Sequence, residues 1–93
     1  MSTQARASHI LVKTEDQADQ ILKRLAEGEE FDKVARRFSS CPSGKQGGDL
    51  GWFGKGMMVP EFEKIAFEEQ VGKVFGPVKT QFGYHVIKVT GRK

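Results

Sequence analysis

Arg6–Lys13, RASHILVK, runs directly into Thr14–Gly28, TEDQADQILKRLAEG, and the fold depends on how that junction reads. In the first piece His9 and Leu11 point to one side and Ile10 and Val12 to the other. Apolar residues on both faces predict a strand inside a sheet rather than at its margin. In the second, Thr14 and Gln17 have capping-box spacing, the hydroxyl accepting from a first-turn amide while the amide side chain reaches back. Ala18, Ile21, Leu22, Leu25 and Ala26 then form one apolar stripe of an amphipathic helix. Gly28 can take the left-handed conformation that ends it. An internal strand feeding a capped helix is the seed of a layered fold.

Outward from that seed, Phe31, Val34, Ala35 and Phe38 repeat the helical spacing, and a glycine-rich loop opens at Ser39. Within it Asp49–Phe53 reads as a short strand, weakened by its glycines. Pro60 suits the first turn of a third helix carrying Phe62, Ile65 and Ala66, with Gly72 as its end. Two strands close the chain, Lys73–Thr80 and Tyr84–Thr90, joined by a tight turn near Gln81–Gly83. The order is β-α-α-β-α-β-β, with helices interrupting a small, mainly antiparallel sheet: the α+β class.

Ninety-three residues with 38% hydrophobic content and seven Phe suit one domain with one modest core, over residues 1–93. A single Cys excludes an internal disulfide, so a chain that is intracellular, or at least indifferent to oxidation, is expected, with the cytoplasm as its setting. Met1–Arg6 holds no apolar run, so neither a leader nor a membrane span is expected. Fifteen basic against twelve acidic residues leave a net charge of +3, dispersed along helical stretches. A nucleic-acid protein concentrates its charge on one face, so that class is set aside.

Three chemistries compete for the loop Ser39–Gly56. A phosphate cradle needs G-x-x-x-x-G-K-[S/T] between a strand and a helix. Here Gln46 follows Gly44–Lys45, Ser39 occupies the upstream glycine position, and a helix precedes the loop. Two His and one Cys, widely spaced, match no zinc pattern. A thiol nucleophile at Cys41 would need an imidazole and a group to orient it. The residues identify no orienting group, so a reactive and an inert Cys41 both stand. The third reading is apolar. Leu50, Phe53, Met57, Met58, Phe62 and Phe82 gather around glycine-rich turns and a helix start, either as core or as a pocket wall. His9 and His85 lie on core-facing strand positions, where they could hydrogen-bond one another across the sheet.

Three motifs together carry a resemblance: SHILVK (Ser8–Lys13), CPSGKQGGDLGWFGKGMMVPEFE (Cys41–Glu63) and GPVKTQFGYHVIKV (Gly76–Val89). In order and spacing, from Ala7 to Gly91, the chain resembles the parvulin family of peptidyl-prolyl cis/trans isomerases, above all its small single-domain prokaryotic members. The resemblance implies a four-stranded antiparallel sheet surrounded by helices, and a monomer that speeds rotation about X–Pro bonds without a cofactor. Its partners would be proline-containing peptides and unfolded or nascent proteins, with no nucleic acid and no membrane. It further implies that His9 and His85 are the family's paired histidines, with Thr80 the hydroxyl of their network. Cys41 then occupies a position held by Cys or Asp. Leu50, Met58 and Phe62 receive the proline ring, with Phe53 beside them and Phe82 on the wall, where some relatives carry a small polar residue. Relatives that act on phosphoserine- or phosphothreonine-proline carry Lys and Arg after the first strand. Here that region reads Lys13–Thr14–Glu15–Asp16–Gln17, so a dianion would meet repulsion and phospho-dependence is not expected. A non-catalytic proline-binding module or chaperone using the same pocket is the alternative.

Overall fold

The computed structural model describes residues 3–93; Met1 and Ser2, which the expected 1–93 domain includes, lie outside the described residues. The elements follow in the order β1 (Gln4–Val12), α1 (Glu15–Ala26), α2 (Phe31–Phe38), a 3-10 turn (Pro42–Gln46), β2 (Asp49–Gly54), α3 (Pro60–Glu68), β3 (Val74–Thr80) and β4 (Gly83–Arg92). All strand pairs are antiparallel, and the sheet order is β2-β1-β4-β3. This is the α+β architecture expected, with β1 and β4 at its centre.

The two-sided apolar pattern of β1 has its explanation in that central place. Ile10 and Val12, with Val86 of β4, pack under α1 and α2 against Ala18, Ile21, Val34 and Ala35. On the opposite face Ala5, Ala7 and Ile87 meet Phe53 of β2 and Phe62 and Ala66 of α3. The capping box forms as read: the Gln17 N–H donates to Thr14 Oγ1, and Gln17 Oε1 accepts from the Thr14 N–H. Pro60 opens α3, where its missing N–H costs nothing.

Three local expectations need correction. Gly72 does not end α3, which stops at Glu68 with Glu69 as its cap. Gly72 instead takes a positive φ in the approach to β3, where its N–H donates to the Val89 carbonyl. The central strands β1 and β4 outrun the expected Arg6–Lys13 and Tyr84–Thr90 at the end where they meet, β1 starting at Gln4 and β4 running on to Arg92, because Gln4 and Lys93 pair with each other through their backbones. The loop after α2 is not irregular throughout, since Pro42–Gln46 forms a 3-10 turn. From it the chain returns to the sheet through Gly48, whose φ is +83°. Its carbonyl accepts from the His9 N–H at 2.9 Å, and a Cβ there would meet the His9 carbonyl oxygen at 2.3 Å. Only glycine allows so close a pass. Among the described residues no helix is long and apolar enough to cross a membrane.

Candidate active site

The registers of β1 and β4 bring two imidazoles together. His9 lies opposite Ile87 and Leu11 opposite His85, so the two histidines are diagonal neighbours on the face under α3. Their Nδ1 atoms are 2.9 Å apart, and both side chains are buried. The other nitrogen of each ring has a hydroxyl partner: Thr80 Oγ1 lies 2.7 Å from His85 Nε2, and Ser43 Oγ lies 3.2 Å from His9 Nε2. Burial, helped by the neighbouring His85, pushes His9 down to about 4. Burial also lowers His85, and the Glu61 carboxylate opposes that shift. Both rings are therefore neutral at pH 7.

Over the pair lies a groove of about 520 Å³. Phe62 forms one side, its ring meeting the edges of His9 at 5.7 Å and His85 at 6.1 Å between centroids. Leu50 and Met58 also line it, as does Cys41, which caps the 3-10 turn. Two exposed side chains mark the rims: Phe82 on the β3–β4 turn, 62% exposed, and Met57, 69% exposed. Among the described residues no Lys or Arg lines the groove. An apolar trough on a neutral polar floor suits a small apolar ring joined to a peptide backbone.

Residues 1–93 match the family described as the PPIC-type PPIASE domain. The chain belongs to that family, the parvulin-type peptidyl-prolyl isomerases. A foldase protein PrsA from Geobacillus sp. (strain WCH70) is 55% identical over 95% of this parvulin, which spans only 32% of that relative's length. The crystal structure of PrsA from Bacillus anthracis superposes with a TM-score of 0.95 at 43% identity, covering 99% of this chain and 43% of that one. The solution structure of NmPin, the parvuline of Nitrosopumilus maritimus, gives 0.86 at 47% identity, covering 98% of this chain and 99% of that one.

Of the residues expected at the parvulin site, His9, Cys41, Leu50, Met58, Phe62, Phe82 and His85 all border the groove. Thr80 and Phe53 do not. Thr80 is buried below, where its hydroxyl reaches His85 and accepts from the Phe82 N–H. Phe53, expected beside the proline ring, is 2% exposed and stands behind Phe62 at 6.0 Å, braced in turn by Phe67 at 6.1 Å. Alternation on β2 sends it into the core under α3, so it backs the wall and is not part of it. The structure adds Leu11, Ser40, Pro42 and Val59 to the lining. Leu11 was signalled by sharing a strand face with His9. Ser43 had no signal, since nothing in its spacing from His9 announces their contact.

Proposed function

We propose that residues 7–91 act as one catalytic domain that speeds cis/trans exchange of X–Pro bonds in unfolded or nascent chains, with no phosphate required before the proline. The peptide C–N bond resists rotation by roughly 18–20 kcal/mol because of its double-bond character. Uncatalysed X–Pro exchange therefore takes about 10–100 s. The planar form is the more polarised, and water holds it more firmly than the twisted form. A trough that strips this water and grips the ring at Leu50, Met58 and Phe62 favours the twisted state, and every ~1.4 kcal/mol so gained is tenfold in rate.

The observation that carries a non-covalent reading is the occupancy of the imidazoles. All four ring nitrogens of His9 and His85 have partners, namely each other, Ser43 and Thr80. None is left to take a proton from the Cys41 thiol, which a nucleophile would require. Cys41 is then a polarisable group at the groove's edge, facing the rotating carbonyl. On this reading Cys41→Asp keeps activity within about tenfold of wild type, whereas a nucleophile would lose it nearly completely. The direct test is NMR exchange spectroscopy on a panel of X–Pro peptides. Exchange faster than the spontaneous rate is expected; an unchanged rate across the panel would refute the proposal, and line broadening without faster exchange would point to a binding module. The cytoplasmic expectation gains nothing from the fold, since one free thiol suits either redox setting.

A further inference from the structure

The buried pair sits in a chain of four groups. It runs from Ser43 Oγ to His9 Nε2 at 3.2 Å, from His9 Nδ1 to His85 Nδ1 at 2.9 Å, and from His85 Nε2 to Thr80 Oγ1 at 2.7 Å. With both rings neutral, one proton lies between the two Nδ1 atoms, and whichever ring holds it decides every other donor in the chain. If His9 holds it, His9 Nε2 is a bare acceptor for the Ser43 hydroxyl, and the His85 Nε2–H donates to Thr80. If His85 holds it, the Thr80 hydroxyl donates to His85 Nε2, and the His9 Nε2–H donates to Ser43. Both arrangements are fully bonded because each end of the chain is a hydroxyl, able to donate or accept. Among the described residues no buried side-chain polar atom lacks a partner.

We propose that Ser43 is a positioning residue whose hydroxyl, opposed by that of Thr80, sets which histidine carries the shared proton and ties that choice to the loop bearing Cys41. The tie is mechanical as well as electronic. Ser43 lies in the 3-10 turn that Cys41 caps, and its carbonyl accepts from the Gly48 N–H, while the Gly48 carbonyl accepts from the His9 N–H. The turn therefore grips His9 at its backbone and at its ring. Ser43 itself does not line the groove, so it acts on a bound peptide through His9 and the loop. This rests on the isomerase reading above.

Removing one terminal hydroxyl unbalances the chain in a known direction. A buried N–H without an acceptor is the less tolerated defect. Ser43→Ala should therefore move the proton onto His9 Nδ1, leaving Nε2 bare. Thr80→Val should move it onto His85 Nδ1 for the same reason. The test is nitrogen-15 NMR of the two imidazoles in wild type, Ser43→Ala, Thr80→Val and Ser43→Thr, with kcat and KM from the exchange assay. The expected result is opposite displacement of the Nδ1 and Nε2 shifts in the first two variants, and wild-type shifts in Ser43→Thr. Expected with it is a roughly three- to tenfold fall in kcat for Ser43→Ala at unchanged KM, the rate equivalent of one hydrogen bond. Nitrogen shifts that stay put in an active Ser43→Ala, or that move the same way in both variants, overturn this proposal alone. A wild-type chain that shows the nitrogen signals of a folded pair but no catalysis overturns the isomerase reading and this proposal with it.

Discussion

At the scale of single residues, two neighbouring phenylalanines have different work. Phe62 borders the groove, whereas Phe53 stands behind it in the core. Phe53→Leu should lower stability by about 1–2 kcal/mol through imperfect packing and leave KM near its wild-type value. Phe62→Leu should raise KM severalfold at a similar stability cost. Urea denaturation and steady-state exchange kinetics on the same preparations separate the two; an equal KM rise in both would put Phe53 back on the wall. The histidines make a different prediction, about pH. Because burial holds His9 down to about 4, the unfolded chain binds a proton below pH 6.5 that the folded chain refuses. Stability is thus fully present above about pH 6.5 and falls as pH drops toward 4, by about 3 kcal/mol from His9 alone, with His85 shifted the same way. Urea midpoints measured from pH 7.5 to 4.5 should show that slope, and His9→Gln should flatten it although the variant starts less stable. A slope that survives the substitution intact would mean the protons are taken up elsewhere.

Elements are held to one another by a few close passes, of which the return of the loop to β1 is the tightest. Gly48→Ala adds a methyl against the His9 carbonyl, whereas Gly51, also at positive φ, has nothing within 4 Å of an added Cβ. Gly51→Ala should therefore cost only the backbone strain, about 1–2 kcal/mol, with catalysis intact. Gly48→Ala should cost clearly more and depress kcat as well, because it pushes on the strand that carries His9. Equal losses in the two variants, read by urea denaturation and exchange rate, would deny the close pass its importance. The comparison also shows what local sequence can reveal. Thr14 with Gln17, Pro60 at a helix start and the apolar stripes of α1 and α2 are signals contained within one turn of chain, and each was legible. So was the meeting of His9 and His85, since alternation put both on core faces of strands. The role of Gly48 depends on a strand forty residues earlier, the 3-10 turn on its seating against α2, and Phe53's retreat behind Phe62 on how β2 meets α3. Gly72 misled for the same reason: a glycine after an apolar stripe reads as a helix end, but here a contact with β4 claims its amide. Ser43 was illegible because a serine in a polar loop looks the same whether or not an imidazole waits beside it.

For the whole molecule the deciding matter is where its charge is not. Several of the fifteen bases behind the net charge of +3 have neighbours of their own away from the groove. Arg6 bridges Asp49, Arg24 bridges Glu29, Lys33 bridges Glu30 and Arg36 bridges Asp32. Arg24 and Arg37 lie over the Phe38 ring, and Lys93 lies over Trp52. Lys13, the one base directly after β1, is outside the lining. What charge does reach the floor of the groove is negative, from Glu61 acting on His85. A phosphate before the proline carries nearly two negative charges and needs paired donors, of which arginine is the best. Here it would lose its water and gain no cation, and long-range attraction from +3 is screened beyond about 8 Å at physiological salt. Peptides with phosphoserine before proline should therefore turn over no faster than those with alanine, and slower by roughly tenfold if the desolvation amounts to only ~1.4 kcal/mol. Glutamate should fall between the two, and leucine should match or exceed alanine because Phe82 offers it an exposed aromatic rim. The neutral peptides should show little change in kcat/KM between low and high salt, since they carry no charge for the field of Glu61 to act on. Competition of paired peptides in one NMR exchange experiment gives these ratios free of concentration error. A phosphopeptide preferred by more than tenfold, with a preference that fades as salt rises, would place a cation cluster at the groove where the fold has put leucine, methionine and phenylalanine.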